Sequence, residues 1–256
     1  MTPFLRPRQA GDFTLRLVVF HHAGGSAAGY HPLARELPPD WDVLLADLPG
    51  RGRRYGEAPY RAMSGAVEEM VHHLSGHTDL PYALFGHSMG AVVATEVGRR
   101  MSSLAKVPIW VGVSGRSAPS TVDVHRQPLW ELDDDRLLDV LFDLGGTPQR
   151  LRQMPGLQEQ FVQLARADLQ AVDSYRPAPE RRPLSCPLTV LGGLADPWAP
   201  PATLADWQAE TARPLRQCFF PGGHFYFLGV GVAALAREIR TEVSAALLDC
   251  DGVTTR

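Results

Sequence analysis

Three side chains, far apart in the chain, have types that together perform acyl transfer. Ser88 lies in GHSMG (86–90), Asp196 in LGGLADPW (191–198) and His224 in PGGHF (221–225). A serine hydroxyl attacks a carbonyl only when a base removes its proton. A histidine base needs an acid behind it to fix its tautomer and stabilise the imidazolium. Two backbone N–H groups must also face the carbonyl oxygen as it gains charge. Met89, the residue after the nucleophile, is one expected donor. Ala23, in the glycine-rich stretch HHAGGSAAGY (21–30), is the other.

G-x-S-x-G alone is a weak signal; its setting sharpens it. The apolar run YALFG (82–86) precedes it and the helix-like AVVATEVGRRM (91–101) follows, the strand–turn–helix arrangement that exposes a nucleophile. Glycines at 86 and 90 let strand and helix approach closely, and the helix N-terminus favours developing negative charge. The order Ser88, Asp196, His224 is that of α/β-hydrolases. Asp123, after the run at 108–114, is the rival acid, and His87 the weaker candidate base. HAGGSAAG could instead cradle a phosphate, but a Walker-type loop needs lysine before Ser or Thr, and the only lysine is Lys106.

The elements that must position these groups follow from periodicity. Strands are expected at 15–21, 42–47, 82–86, 108–114, 187–192 and 216–220, several of them apolar almost throughout. Helical patterns lie near 29–37, 64–75, 90–102, 203–211 and 231–248. This alternation implies an α/β fold with a mainly parallel sheet flanked by helices, one domain over 1–256. Residues 117–183 contain no good strand. Two amphipathic patterns there, at 129–146 and 157–175, read as a helical lid inserted over the end of the sheet.

Other features bound the function. The net charge of −3 gives no reason to expect nucleic acid. The N-terminal residues contain no apolar stretch long enough for a signal peptide or membrane span. Cys186, Cys218 and Cys250 are few and odd in number, which fits a reducing compartment. A cytoplasmic monomer without cofactor or metal is expected. Glu68, Glu69, His72 and His73 form i, i+4 pairs, better read as a solvated helix face than as a metal site. Asp133, Asp134 and Asp135 suit a helix start. Arg51, Arg53 and Arg54 either meet an acidic partner or order their own loop. Phe225, Tyr226 and Phe227 either line an acyl pocket or pack as core.

With these residues placed, the sequence resembles the type II (stand-alone, editing) thioesterases of polyketide and nonribosomal peptide synthesis. The resemblance is carried by FHHAGGSAAGY, DLPGRGRR, LFGHSMGA, LGGTP, RADLQAVDSY, CPLTVLGGLADP and FPGGHFYFL, which together run nearly end to end. That family often has proline where His21 stands. The resemblance implies an α/β-hydrolase with a mobile lid. It also implies a Ser88–His224–Asp196 triad, with oxyanion donors at Ala23 and Met89. The implied substrate is an acyl thioester on the phosphopantetheine arm of an acyl or peptidyl carrier protein, and the implied task is removal of wrong or stalled acyl groups. Two other readings stand beside it: an esterase or lipase for small free esters, and a catalytically silent scaffold that docks a carrier protein. Transfer to an alcohol or amine instead of water is a further variant of the chemistry.

Overall fold

Runs of Leu, Val, Phe and Trp dictate the sheet. In the computed structural model, which describes residues 2–9, 11–121 and 128–253, five strands are buried at every position. These are β2 (Leu15–Phe20), β3 (Trp41–Ala46), β4 (Tyr82–His87), β5 (Trp110–Ser114) and β6 (Leu188–Gly193). Strands this apolar must be covered on both faces, which a parallel sheet with crossover helices achieves. The half-exposed β7 (Arg216–Phe220) forms one edge. The other edge is β1 (Phe4–Leu5), antiparallel to β3 and too short to leave a periodic signal in the sequence. The seven-stranded sheet runs β1-β3-β2-β4-β5-β6-β7, and all neighbours from β3 to β7 are parallel.

Crossover helices cover the two faces. α2 (Met63–Leu74) and α3 (Met89–Ser103) close one core around Met70, Leu74, Val93 and Val97. α1 (His31–Glu36) and α6, which begins at Val232 and ends at Val253, close the other around Leu33, Leu235 and Ile239. The register aligns Phe20 with Gly86, His87 with Ser114, and Ser114 with Leu191. The loops after β2, β4, β5 and β6 therefore leave the sheet at one rim.

The helix expected at 203–211 is instead a 3₁₀ segment, Pro201–Glu210. Its buried residues Leu204, Trp207 and Glu210 recur every three positions, the period of a 3₁₀ helix and not of an α-helix.

Between β5 and β6 the described residues contain no strand. They carry α4 (Asp134–Leu144) and α5 (Pro155–Asp173). Asp133 caps α4 by accepting the Arg136 N–H at 2.9 Å, and Gly145 ends it in the left-handed region at φ 97°. Leu137, Leu141, Val162, Ala165 and Leu169 form a small third core between these helices, against which Ala23 and Trp198 pack. The inserted helices thus lie directly on two of the rim loops. Asp123, the rival acid, falls outside the described residues.

Candidate active site

Ser88 sits where β4 ends and α3 begins, at φ 55° and ψ −115°. A non-glycine residue adopts this backbone at a cost of about 1–3 kcal/mol, so its surroundings must enforce it. Two glycines make that possible. A Cβ at Gly86 would come within 1.9 Å of the Gly90 carbonyl oxygen, and one at Gly90 within 2.2 Å of the Phe20 oxygen. Only bare backbone lets β2, β4 and α3 converge so closely. The Ser88 N–H donates to the Ser114 carbonyl at 2.7 Å, which leaves the next amide, at Met89, as the first of the helix. The opening N–H groups of a helix have no intrahelical acceptor.

Asp196 follows β6. Its Oδ1 accepts the Trp198 N–H (2.8 Å) and the Ala199 N–H (3.2 Å). Its Oδ2 meets His224 Nδ1 at 2.9 Å. Burial alone would push this carboxyl up. The His224 hydrogen bond and charge and the two amides outweigh it, and Asp196 lies below the usual carboxylate range. His224 follows β7 and is only 2% exposed. Gly193 brings the two loops together: a Cβ there would stand 2.1 Å from the Gly223 oxygen. With Nδ1 held by Asp196, the ring presents Nε2, which has no hydrogen-bond partner among the described residues. Ser88 and His224 line one cavity, with no hydrogen bond joining them.

Ala23 lies in a tight turn. The Gly25 N–H donates to the His22 carbonyl at 3.0 Å, and Gly24 has φ +72°. Ala23 is not among the positive-φ residues, so the turn is type II, which requires glycine at its third position. The His22 carbonyl points into the turn, so the Ala23 N–H, antiparallel to it across a trans peptide, points out.

His87, the weaker candidate base, is engaged through its Nδ1 by the end of β5. Its Nδ1 meets Ser114 Oγ at 2.9 Å, and Ser114 Oγ meets the Tyr226 hydroxyl at 2.8 Å. Phe225 lines the cavity beside Ser88, whereas Tyr226 and Phe227 are buried in the α1/α6 core. The three arginines order their own surroundings. Arg53 donates to the Phe4 carbonyl, Arg54 binds Glu57 and Glu69, and Arg51 binds Asp168. Glu69 is thereby engaged on its helix face. Nothing in the segments DLPGRGRR and RADLQAVDSY by themselves marks Arg51 and Asp168 as partners.

The buried histidines make a pH prediction. Burial first, then Arg51, holds His21 well below the ordinary imidazole value; burial, then His224 and His22, does the same to His87. Burial, His224 and Arg51 lower His22 to about 3. In the unfolded chain such rings titrate near about 6.5. The unfolded state therefore takes up protons below about pH 6.5 that the folded state refuses. The stability these neutral rings contribute is complete above that pH and drains away as pH falls towards their folded values. The thermal midpoint should drop between pH 7 and pH 5, and His22→Gln should make that slope shallower. A midpoint flat over this range would contradict the assignment of neutral buried rings.

A family model described as a thioesterase domain matches residues 15–243. The chain belongs to this thioesterase family. The gramicidin S biosynthesis protein GrsT of Aneurinibacillus migulanus is 31% identical over 213 residues, 83% of this thioesterase and 82% of that protein. Thioesterase PikA5 of Streptomyces venezuelae is 35% identical over 227 residues, covering 85% and 77% of the two chains. Among solved structures, the type II thioesterase BorB from the borrelidin biosynthetic cluster superposes with a TM-score of 0.86 at 33% identity, covering 94% of this chain and 97% of that one. The thioesterase thus has an α/β-hydrolase fold, and its structural neighbours include the type II thioesterases BorB, of the borrelidin cluster, and YbtT, of the yersiniabactin nonribosomal peptide and polyketide pathway. No helix among the described residues is long and apolar enough to cross a membrane.

Proposed function

We propose that this thioesterase hydrolyses acyl groups from the phosphopantetheine thiol of acyl or peptidyl carrier proteins, with Ser88, His224 and Asp196 as its triad. The observation that carries this reading is the 2.9 Å Asp196–His224 bond beside a cavity shared with Ser88. His224 Nε2 takes the Ser88 proton as Oγ attacks the thioester carbonyl. The amides of Ala23 and Met89 hold the oxyanion. The C–S bond breaks, the phosphopantetheine thiol leaves with the proton returned by His224, and an acyl-serine remains. His224 then deprotonates water, which attacks the ester. The C–O bond breaks, Ser88 regains its proton, and a carboxylic acid departs.

Two cavities meet at the nucleophile, sharing Ala23, Ser88, Leu169 and Trp198. One, of about 370 Å³, mixes polar groups, among them Arg116, Ser117, Thr203 and Asp206, with apolar ones such as Leu129 and Val172. It suits the amide- and hydroxyl-rich phosphopantetheine arm. The other, of about 500 Å³, is lined by Leu141, Leu144, Met154, Phe161 and Phe225, and suits an acyl chain. Helices of the 117–183 segment wall both cavities, which supports its role as a lid over a single domain.

The test compares an acyl-carrier-protein thioester with a nitrophenyl ester of the same acyl group. Carrier-protein recognition predicts a kcat/KM at least about 10²-fold higher for the thioester, the size of one well-used set of binding contacts. Equal values favour a small-ester esterase. Binding without turnover of either favours a silent scaffold.

A further inference from the structure

Asp168, on α5, is buried and takes no part in the chemistry above, yet its carboxylate reaches the loop that carries Ala23. Its Oδ2 accepts the Gly24 N–H at 2.8 Å and Arg51 Nη1 at 2.7 Å, and its Oδ1 accepts Arg51 Nη2 at 2.8 Å. Both side chains are only 3% exposed. Arg51 Nη1 also donates to the Gly25 carbonyl at 3.1 Å, and its remaining N–H groups bind the Leu48 and Pro49 carbonyls. The turn is packed against α5 as well: a Cβ on Gly24 would stand 3.0 Å from Phe161 and 3.2 Å from Ala165.

We infer that the Arg51–Asp168 pair is a clamp that positions the oxyanion loop and ties it to the inserted helix α5, making Asp168 a positioning residue for the thioesterase reaction. A type II turn has an alternative, type I, reached by rotating its central peptide. Here that peptide joins Ala23 to Gly24, and rotating it would swing the Gly24 N–H off Asp168. With that bond made and the Gly25 N–H on the His22 carbonyl at 3.0 Å, both peptide planes flanking Ala23 are set, while Arg51 anchors the far end of the turn at the Gly25 carbonyl. The outward direction of the Ala23 N–H is set with them. An oxyanion donor must be in place before charge develops, and a displacement of about 1 Å costs about 10² in rate.

The inference rests on the proposed serine mechanism with Ala23 as an oxyanion donor, and the test separates failure of the clamp from failure of that mechanism. Two variants of the full chain are compared with the parent. Asp168→Glu keeps the charge opposite Arg51 but moves the acceptor by one methylene. Arg51→Met/Asp168→Leu replaces the buried ion pair by apolar groups of similar size, an exchange proteins tolerate, and leaves the Gly24 N–H without its acceptor. For each, kcat, KM, the thermal midpoint and affinity for an alkyl boronic acid are measured; the boronate forms a tetrahedral anion on a nucleophilic serine. The clamp predicts that kcat falls about 10²-fold in both variants, that boronate affinity falls in parallel, and that KM stays within about threefold. It is overturned if either folded variant keeps kcat within threefold of the parent. It is equally overturned if kcat falls only with the folded fraction while boronate affinity per folded molecule is unchanged. Failure of the parent itself to bind boronate would refute the serine mechanism instead.

Discussion

Asp196→Asn is expected to lower kcat by about 10⁴-fold, the loss seen when the same exchange is made in a serine protease triad. The geometry says why so small a change costs so much. The Trp198 and Ala199 amides both donate to Oδ1. In the asparagine variant that position must remain an oxygen, which places the NH₂ where Oδ2 now faces His224 Nδ1. An NH₂ can only donate. His224 Nδ1 must then accept, so the ring proton moves to Nε2, the atom that has to take the Ser88 proton. The wrong tautomer is thus enforced, not merely permitted. Asp196→Ala, which leaves the tautomer free, should retain more activity than Asp196→Asn at neutral pH. Steady-state hydrolysis of an acyl thioester checks both. An asparagine variant within tenfold of the parent would mean that another group braces the imidazole.

Gly90→Ala is expected to damage folding and catalysis together. The added Cβ would meet the Phe20 oxygen at 2.2 Å, the Phe20 carbonyl carbon at 2.7 Å and the His21 oxygen at 2.8 Å, all of them backbone. No rotamer relieves a clash with a central strand, so α3 or β2 must move. Such overpacking costs about 3 kcal/mol. At this chain length that lowers the thermal midpoint by about 6–12 °C. The displaced atoms lead straight into the turn that carries Ala23, so kcat should fall even where the variant is fully folded. Thermal melts and turnover at a temperature well below the midpoint measure the two effects separately. A variant that melts like the parent would show that strand and helix are less tightly apposed than these distances require.

The parts of the molecule that the sequence made readable are those governed by local rules. Strands β2 to β6 are nearly unbroken apolar runs because both sheet faces are covered. Ser88 and Asp196 stand just past the ends of such runs and His224 just past the last strand, β7, so chain order and rim position sufficed to suggest a common site. The two helices at 134–173 declared themselves by amphipathic period, and the first also by the acidic run Asp133, Asp134 and Asp135 at its start. Less local features stayed hidden. β1 has two residues and no period. The 3₁₀ segment at Pro201–Glu210 contains enough helix formers to pass as an α-helix until its three-residue burial rhythm is seen. The Arg51–Asp168 bond joins residues 117 positions apart through a fold that neither neighbourhood encodes. Arg51 therefore read equally well as a docking residue or a loop brace. The two cavities are likewise properties of how the inserted helices rest on the rim.

The central claim is that Ser88 is a nucleophile that carries the acyl group. Mixing the enzyme with an acyl-carrier-protein thioester, quenching in acid and weighing the intact chain tests it most directly, alongside a fluorophosphonate that labels activated serines. A mass increase equal to the acyl group or the phosphonate, mapped to the peptide containing Ser88 and lost in Ser88→Ala, is the result this account predicts. Turnover with no covalent adduct at Ser88, or an adduct that persists in Ser88→Ala, would contradict it.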